Sequence, residues 1–420
     1  MKWLIQQAKL FEPSHELHLQ VCDLLIEDGI IKSIQKEIVA KDAEQIEGKE
    51  ACLSIGWLDV GTQIGEPGYE HREDFESITA AAAAGGFTAL ATFPNTHPVI
   101  QSKAKVNFLR NYSNGNLVNF LPIGAATKDT AGQEMTEMYD MYKAGAVAFS
   151  DGKKSIQDTG MLLRVFQYTK AFDGIVINHP HDHFASHAQM HEGSVSTRLG
   201  LKGIPSLAEE LMLQRDIKLL NYTEGRLHVH NISTAKSVHI IRSAKKRNLK
   251  VTASVAALNL LFNHEALADF DPNFKVLPPL REESDRKALI EGLQDGTIDF
   301  ITSNHVPYEV ESKFLQFSYA EFGVIGLETA FSNSLQALKE VLNLEEIIEK
   351  WAYANRRALG IDIPIIKVGE LANLTLFHPE RSWKVEEKSI RSKSKNSPFI
   401  GQRLLGKTLL TVNKGKLYRY

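Results

Sequence analysis

The middle of this 420-residue chain repeats short apolar runs separated by longer helix-like runs, and this repetition limits the folds open to it. The short runs have the length and composition of buried strands. Candidate strands span residues 88–93, 146–149, 174–177, 226–230, 250–254 and 300–302. Candidate helices span residues 73–84, 206–215, 234–247 and 286–294. Repeated strand–helix units of this length predict an α/β fold, a (β/α)8 TIM-type barrel over residues 55–365.

The two ends of the chain follow a different pattern. Residues 1–54 alternate apolar and polar side chains in short runs joined by turn signals such as Glu27-Asp28-Gly29, and residues 366–420 resume this style. Both ends therefore predict short β-strands connected by tight turns.

Composition excludes several classes of function. The net charge of −3 provides no basic surface for nucleic acid. The locally basic residues 388–395 contain no interleaved aromatics, so we interpret them as a solvated loop. Cys22 and Cys52 lie in no disulfide-framework or metal-binding spacing. We find no nucleophile elbow, Walker loop or dinucleotide fingerprint.

The N-terminal residues lack the apolar run and cleavage site of a signal peptide, which predicts a cytoplasmic protein. The long uncharged window at residues 77–101 is broken by Gly85-Gly86 and by Pro94. It is therefore interpreted as a helix running into a strand rather than as a membrane span, with the glycine pair as the helix C-cap.

Ten segments, taken in order, resemble the dihydroorotases, a branch of the metal-dependent amidohydrolase superfamily. The first is a strand and loop in which Gly56-Trp57-Leu58-Asp59-Val60 precedes Glu66-Pro67-Gly68. The others lie at residues 81–88, 93–98, 145–152, 179–182, 192–210, 231–235, 278–281 and 296–299, and residues 323–328 extend the series. The resemblance covers essentially the whole chain. It implies that the two terminal segments, 1–54 and 366–420, pair into a small β-sandwich beside the barrel.

The resemblance also implies six metal-site positions at the C-terminal mouth of the barrel, where family members bind one or two zinc ions. These positions are occupied here by Gly61, Gln63, Asp151, His179, Asn231 and Asn304. Only the residual pair Asp151 and His179 could ligate zinc in the usual way, whereas a catalytic zinc needs about three protein ligands and a water.

The residues that the resemblance assigns to proton transfer and substrate binding are also mostly replaced. Asn304 stands at the position of the catalytic base, and an amide cannot accept a proton as a carboxylate does. Gly65 replaces the arginine that forks onto the substrate carboxylate, and Leu277 replaces a substrate-proximal asparagine. Asn95, another family substrate contact, is retained, although such a residue can also serve a turn through its side chain.

Structural roles compete with functional ones at each remaining residue. The structural interpretation of Asp151 and His179 is that they are relics that hydrogen-bond local backbone. A metal site rebuilt from His179, His181, His230 and His305 is disfavoured, because strand alternation should turn His230 away from the mouth. His71, His183, His187 and His191 are expected at the surface.

These observations predict a pseudo-dihydroorotase of pyrimidine biosynthesis, which has lost its zinc and could be a structural partner of aspartate carbamoyltransferase. The alternative is an active cyclic-amide hydrolase that uses a reduced or relocated zinc site. A third possibility is a new pocket in which Asn95, Gln63 and Asn304 bind an uncharged ligand. A homodimer without nucleic-acid or membrane partners is expected.

A repair experiment follows from the same comparison. Gly61→His, Gln63→His, Asn231→His and Asn304→Asp should recover zinc binding if the barrel mouth is still correctly shaped. Activity would also require Gly65→Arg.

Overall fold

The computed structural model describes residues 1–185 and 187–420. The strands are β1 Lys2–Phe11, β2 Val21–Glu27, β3 Ile30–Gln35, β4 Glu44–Glu47, β5 Cys52–Ile55, β6 Trp57–Thr62, β7 Phe87–Thr92, β8 Asn119–Gly124, β9 Ala148–Phe149, β10 Ile175–Asn178, β11 Met190–His191, β12 Gly203–Ile204, β13 Arg226–Val229, β14 Val251–Ala256, β15 Phe300–Thr302, β16 Leu374–Lys384, β17 Arg403–Asn413 and β18 Lys416–Arg419.

The helices are α1 Phe75–Gly85, α2 Lys103–Tyr112, α3 Met138–Ala144, α4 Thr159–Lys170, α5 Ser194–Leu199, α6 Leu207–Thr223, α7 Ala235–Lys246, α8 Ala257–Leu261, α9 Glu283–Gln294, α10 Val310–Lys313, α11 Ala330–Leu338, α12 Leu344–Ala352 and α13 Ala354–Leu359. Short 3-10 turns lie at Lys128–Thr130, His264–Leu267, Pro272–Phe274 and Glu387–Ser389.

The predicted barrel is confirmed. Its parallel strands follow the order β6, β7, β8, β9, β10, β13, β14 and β15, with helices between successive strands. Every residue of β6, β7 and β10 is buried, as expected for strands covered on both faces. Two differences from the sequence prediction are the strand β8, which the apolar pattern did not reveal, and α6, which continues to Thr223 rather than ending near residue 215.

A buried carboxylate joins the first and last barrel strands. Asp59 on β6 is fully buried, and its Oδ1 accepts a hydrogen bond of 2.7 Å from the backbone N–H of Ser303, just after β15. Its Oδ2 accepts from the hydroxyls of Ser303 and Thr62. These bonds satisfy a charge that burial would otherwise disfavour, and they hold the two strand ends together at the mouth.

The terminal segments pair as the family resemblance implied. Strand β16 runs antiparallel to β5, so the C-terminal strands extend the sheet formed by β1, β2 and β3. This sheet packs beside the barrel through Phe377, whose ring lies 5.4 Å from that of Trp57 at the start of β6. The small domain therefore braces the strand that leads to Gly61.

The uncharged window at residues 77–101 forms the end of α1, a tight turn and β7. Gly86 adopts a left-handed φ of 93° and its N–H bonds back to the last turn of α1, which confirms the predicted C-cap. No helix in the described part of the chain has the length and apolarity needed to cross a membrane.

The prediction of a solvated loop at residues 388–395 is wrong in part. Ser392 and Ser394 are buried, and the Ser392 hydroxyl donates to Glu73, next to the barrel mouth. The Lys393 ammonium pairs with Asp74 at 2.9 Å. The Ser392 hydroxyl thus satisfies the buried carboxylate of Glu73. The charge pattern of the segment alone did not indicate this contact.

Candidate active-site remnant

The six implied metal positions all follow the carboxyl ends of barrel strands. Gly61 and Gln63 lie at the end of β6, and Asp151 and His179 follow β9 and β10. Asn231 follows β13, and Asn304 follows β15. Parallel strands bring these ends to one mouth, so the fold gathers the positions as expected. What occupies the centre is different from a metal site.

The side-chain space at Gly61 is filled by His230. Gly61 has φ +84°, and the register between β6 and β7 shifts between Val60 and Thr62. A Cβ at this position would lie 2.4 Å from Cε1 and 2.8 Å from Nε2 of His230. The place of the first family histidine is thus taken by an imidazole from another strand.

The expectation that His230 faces away from the mouth is wrong. Its ring is fully buried, edge-on to Phe93 with centroids 4.8 Å apart, and its Nε2 lies 3.0 Å from the amide nitrogen of Asn231. Asn231 has a left-handed φ of 54°, which breaks the alternation of side chains just after β13 ends. Both residues therefore turn toward the barrel interior.

Asn231 and Asn304 form a hydrogen-bonded pair at the centre of the mouth. The Asn231 amide nitrogen lies 3.3 Å from the side-chain oxygen of Asn304. The side-chain oxygen of Asn231 accepts a hydrogen bond of 2.8 Å from the Thr302 hydroxyl. The Asn304 amide nitrogen donates to the carbonyl of Leu277 at 3.3 Å. Neutral amides satisfy one another here without a cation.

Lys153 completes this arrangement, and the sequence analysis did not single it out. Its ammonium donates to the side-chain oxygen of Asn304. Burial lowers the pKa of Lys153 to about 7, and the charge of Asp59 opposes the shift. The signal was present, since a lysine stands two residues after Asp151 in a strand-end segment.

The lysine charge is felt by both central histidines. Burial lowers the pKa of His179 and of His230 well below the ordinary value, and the Lys153 ammonium lowers both further. The four side chains Lys153, Asn304, Asn231 and His230 are hereafter called the central network. It places a protein cation among the former ligand positions.

Asp151 and His179, the two residual ligands, each contact a different part of the backbone. Asp151 accepts from the backbone N–H of Thr127 at 2.9 Å and from its hydroxyl, and burial raises the Asp151 pKa to about 6. His179 contacts the carbonyl of His230 through Nδ1 at 3.2 Å, while its buried Nε2 has no hydrogen-bond partner among the described residues. Of the pair, His179 is therefore the residue with a polar side-chain atom that no hydrogen bond from the described residues satisfies.

Asn95 is engaged by the loop that carries Lys153. Its amide nitrogen donates to the carbonyl of Asp151 at 3.0 Å, and its oxygen accepts from the N–H of Lys153 at 3.1 Å. Asn95 therefore stabilises the contact between its own loop and the loop of residues 151–153, rather than its own turn. A substrate contact by Asn95 or Gln63 stays a prediction.

The histidines proposed for a rebuilt site point to different partners. His305 lies 3.4 Å from Glu73 through Nε2 and accepts from the Gly326 N–H through Nδ1. His181 lines an outer cavity, where burial, with help from Arg281, lowers its pKa to about 4. Residues 1–185 and 187–420 contain no group of three or more His, Cys, Asp or Glu side chains placed to hold a metal ion.

Of the histidines expected at the surface, His71, His183 and His187 are exposed. The expectation is wrong for His191, which is buried against the Arg281 guanidinium at 3.1 Å. Arg281 also bonds the Ser233 hydroxyl and the Ile204 carbonyl, so this contact belongs to a buried polar network between loops.

The donor set does not fit a zinc ion. Among the six implied positions, only His179 and Asp151 offer metal ligands of the usual kind, and the Lys153 side chain bonds Asn304 at the same mouth. A catalytic zinc requires about three protein ligands. The repair experiment stays a prediction. A side chain at Gly61 would require the His230 ring to move, and one at Gly65 would lie 2.2 Å from the Glu73 carbonyl oxygen.

Comparison with solved structures defines the fold. The chain superimposes on L-hydantoinase (dihydropyrimidinase) from Arthrobacter aurescens with a TM-score of 0.84 at 23% identity, covering 99% of this chain and 95% of that one. The two chains therefore share one fold, a barrel with a smaller β domain beside it.

Sequence comparison defines the family. A family model described as Dihydro-orotase-like matches residues 52–237. The chain is 36% identical over 422 residues to the dihydroorotase of Syntrophus aciditrophicus, covering 99% of both chains. It is 40% identical over 399 residues to that of Thermoanaerobacter sp. strain X514, covering 94% of this chain and 92% of the relative. The chain belongs to the dihydroorotase family.

The first prediction tests the packing of His230 against Gly61. Gly61→Ala should destabilise the fold by roughly 1–2 kcal/mol through its left-handed backbone and by roughly 1–3 kcal/mol more through the contact with His230. Gly401→Ala is the matched control, since Gly401 has φ +86° and open space around it. Denaturant unfolding measures both.

Gly61→Ala should lower the free energy of unfolding more than Gly401→Ala does. When Gly61→Ala is made in the His230→Ala background, this extra loss should vanish, and the difference is the coupling energy between the two residues. Equal costs for Gly61→Ala and Gly401→Ala would contradict the placement of His230.

The second prediction concerns pH. The folded-state pKa of Lys153 lies near 7, below its ordinary 10.5, so the folded protein binds fewer protons than the unfolded chain between these values. Lys153 should therefore make the fold more stable as pH rises through that window. In Lys153→Met, this increase of stability with pH should be absent.

The measurement is the difference in unfolding free energy between wild type and Lys153→Met across that pH range. The unfolding free energy of wild type should increase relative to that of Lys153→Met as pH rises. Lys154→Met, an exposed neighbour, controls for the change in net charge. A difference that is independent of pH would contradict the buried placement of the Lys153 ammonium.

Proposed function

We propose that this chain is a pseudo-dihydroorotase, a barrel of the dihydroorotase family that has lost metal-dependent hydrolysis of cyclic amides. The observation that carries the proposal is the bond between the Lys153 ammonium and Asn304 at the centre of the mouth. A cation supplied by the chain stands where the family places metal, and two cations in one low-dielectric site would repel each other.

The position of the proton acceptor supports the same conclusion. Asn304 presents an amide oxygen that already accepts hydrogen bonds from Lys153 and from Asn231. An amide has no basic lone pair that would take up a proton near neutral pH. Loss of the base and of the metal ligands therefore affects both halves of the hydrolytic reaction.

The second candidate is an active cyclic-amide hydrolase with a reduced or relocated zinc site. The observation in its favour is the buried, unpartnered Nε2 of His179, which is the kind of atom a metal would bind. Relatives named dihydroorotase also cover nearly the whole chain. This candidate requires the central network to open and the Lys153 side chain to leave the mouth.

The third prediction separates the two candidates. Protein grown with added zinc and purified without tags or chelators should contain far less than one zinc per chain. It should not accelerate the interconversion of dihydroorotate and N-carbamoyl-aspartate. The Syntrophus aciditrophicus relative, prepared identically, is the positive control. Stoichiometric zinc that disappears in His179→Ala, together with hydrolysis, would establish the second candidate instead.

We further propose that the barrel acts in the cytoplasm as a structural partner of aspartate carbamoyltransferase. Support comes from membership of a family whose inactive homologues can fill this role, combined with a fold that the central network leaves intact.

The fourth prediction tests this partnership. The chain, co-expressed with the carbamoyltransferase of the same organism, should co-elute with it in a complex whose mass is measured by light scattering. The mass of the chain alone in the same experiment reports whether it is the expected homodimer. Separate elution at micromolar concentrations of both proteins would contradict the partnership.

A further inference from the structure

A cavity of about 900 Å³ opens at the mouth of the barrel, outside the central network. Lys153 belongs to both, since its side chain lines the cavity and its ammonium bonds Asn304. Leu277 and Phe322 provide apolar wall, and Gly132 leaves room at one side. Its size is that of a site for a small metabolite.

Two lysines, Lys153 and Lys154, line the cavity, whereas Asp158 is the one carboxylate among the described lining residues. His181, His183 and His187 also lie on the wall. His181 adds no positive charge, because burial lowers its pKa to about 4. Asp158 is also committed, because its side chain accepts from the N–H of Met161 and caps helix α4. The wall therefore favours negative charge.

Lys153 has no local counter-ion. Its hydrogen-bond partner, Asn304, is neutral. Within residues 1–185 and 187–420, Asp59 is the one carboxylate whose charge acts on the ammonium, and Asp59 is already held by Ser303 and Thr62. An ammonium in this setting gains from a charged acceptor that enters through the cavity.

The neutral amides of the mouth are not available to a ligand in the same way. Asn95 bonds the backbone on both sides of Gly152, and Asn231 and Asn304 bond each other, Thr302 and Leu277. Of the three amides proposed for an uncharged ligand, Asn95 and Asn304 are thus already bonded within the protein, and a role for Gln63 stays a prediction. Lys153 is the member of the central network that also lines the cavity.

We propose that the mouth cavity binds a small oxyanion, a carboxylate or phosphate, with Lys153 as the group that pairs with it. This site takes the place of the metal as the anion-attracting centre of the barrel. The inference rests on the proposed loss of the metal, since a bound zinc would itself attract an anion.

The fifth prediction is tested by calorimetric titration of the full chain, with metal content measured on the same sample. The probes are succinate, inorganic phosphate and the neutral analogue succinamide, in slightly acidic buffer of low salt. Succinate or phosphate should bind, and succinamide should not. The preferred anion distinguishes a carboxylate site from a phosphate site.

Three variants make the test specific. Lys153→Met should weaken binding by about tenfold or more, as expected for loss of a charge-assisted contact. Lys153→Arg should retain binding in part. Lys49→Met, at an exposed lysine outside the cavity lining, should change affinity by about threefold or less. Thermal unfolding of each variant establishes that it is folded.

Two results would overturn the proposal. One is the absence of binding to wild type by either anion at millimolar concentration. The other is equal affinity of wild type and folded Lys153→Met. If the sample contains zinc and the anion binds Lys153→Met unchanged, the proposed loss of metal fails as well. In a zinc-free sample, the same result removes only the anion site.

Discussion

The hydrogen bonds that link Lys153, Asn304, Asn231 and His230 are the interaction on which the rest of this mouth depends. A barrel of this kind ends in a ring of strand termini whose polar groups must be satisfied by a metal, by water or by one another. In this chain they are satisfied largely by one another. Asn231 takes bonds from Thr302 and Ser254 and contacts both of its neighbours in the network.

In the proposed pseudoenzyme, this arrangement accounts for several replacements together. Once His230 occupies the space beside Gly61, a side chain at position 61 has no room. The Lys153 ammonium bonds an amide, Asn304, at the position that the resemblance assigns to the base. Asp151 bonds Thr127, a contact that needs no metal.

The scaffold around the mouth is stabilised by contacts that never involved catalysis. Asp59 holds the ends of β6 and β15 together, and the rings of Phe377 and Phe331 pack against Trp57 at the base of β6. These contacts depend on the buried part of the sequence, which also carries the family resemblance. Family membership and loss of the site are therefore compatible, because different residues determine each.

The sequence pattern was sufficient for the barrel and for the Gly86 cap, because periodicity and glycine positions report local structure directly. The joining of the terminal strands was implied by the family resemblance, since no local pattern pairs segments so far apart in the chain. The sequence pattern was not sufficient for the orientation of His230, which depends on the left-handed backbone of Asn231, or for the burial of Ser392 against Glu73. It also missed Lys153, because a lysine near the end of a strand is usually solvated and only the three-dimensional contact with Asn304 identifies it.

The most direct test of the central claim is a crystal structure of the protein soaked in zinc, with diffraction data collected on both sides of the zinc absorption edge. The account predicts no anomalous peak between His179 and Asn304, and continuous density that joins the Lys153 ammonium to the Asn304 side chain. A strong anomalous peak bound to His179, with Lys153 turned out of the mouth, would contradict it.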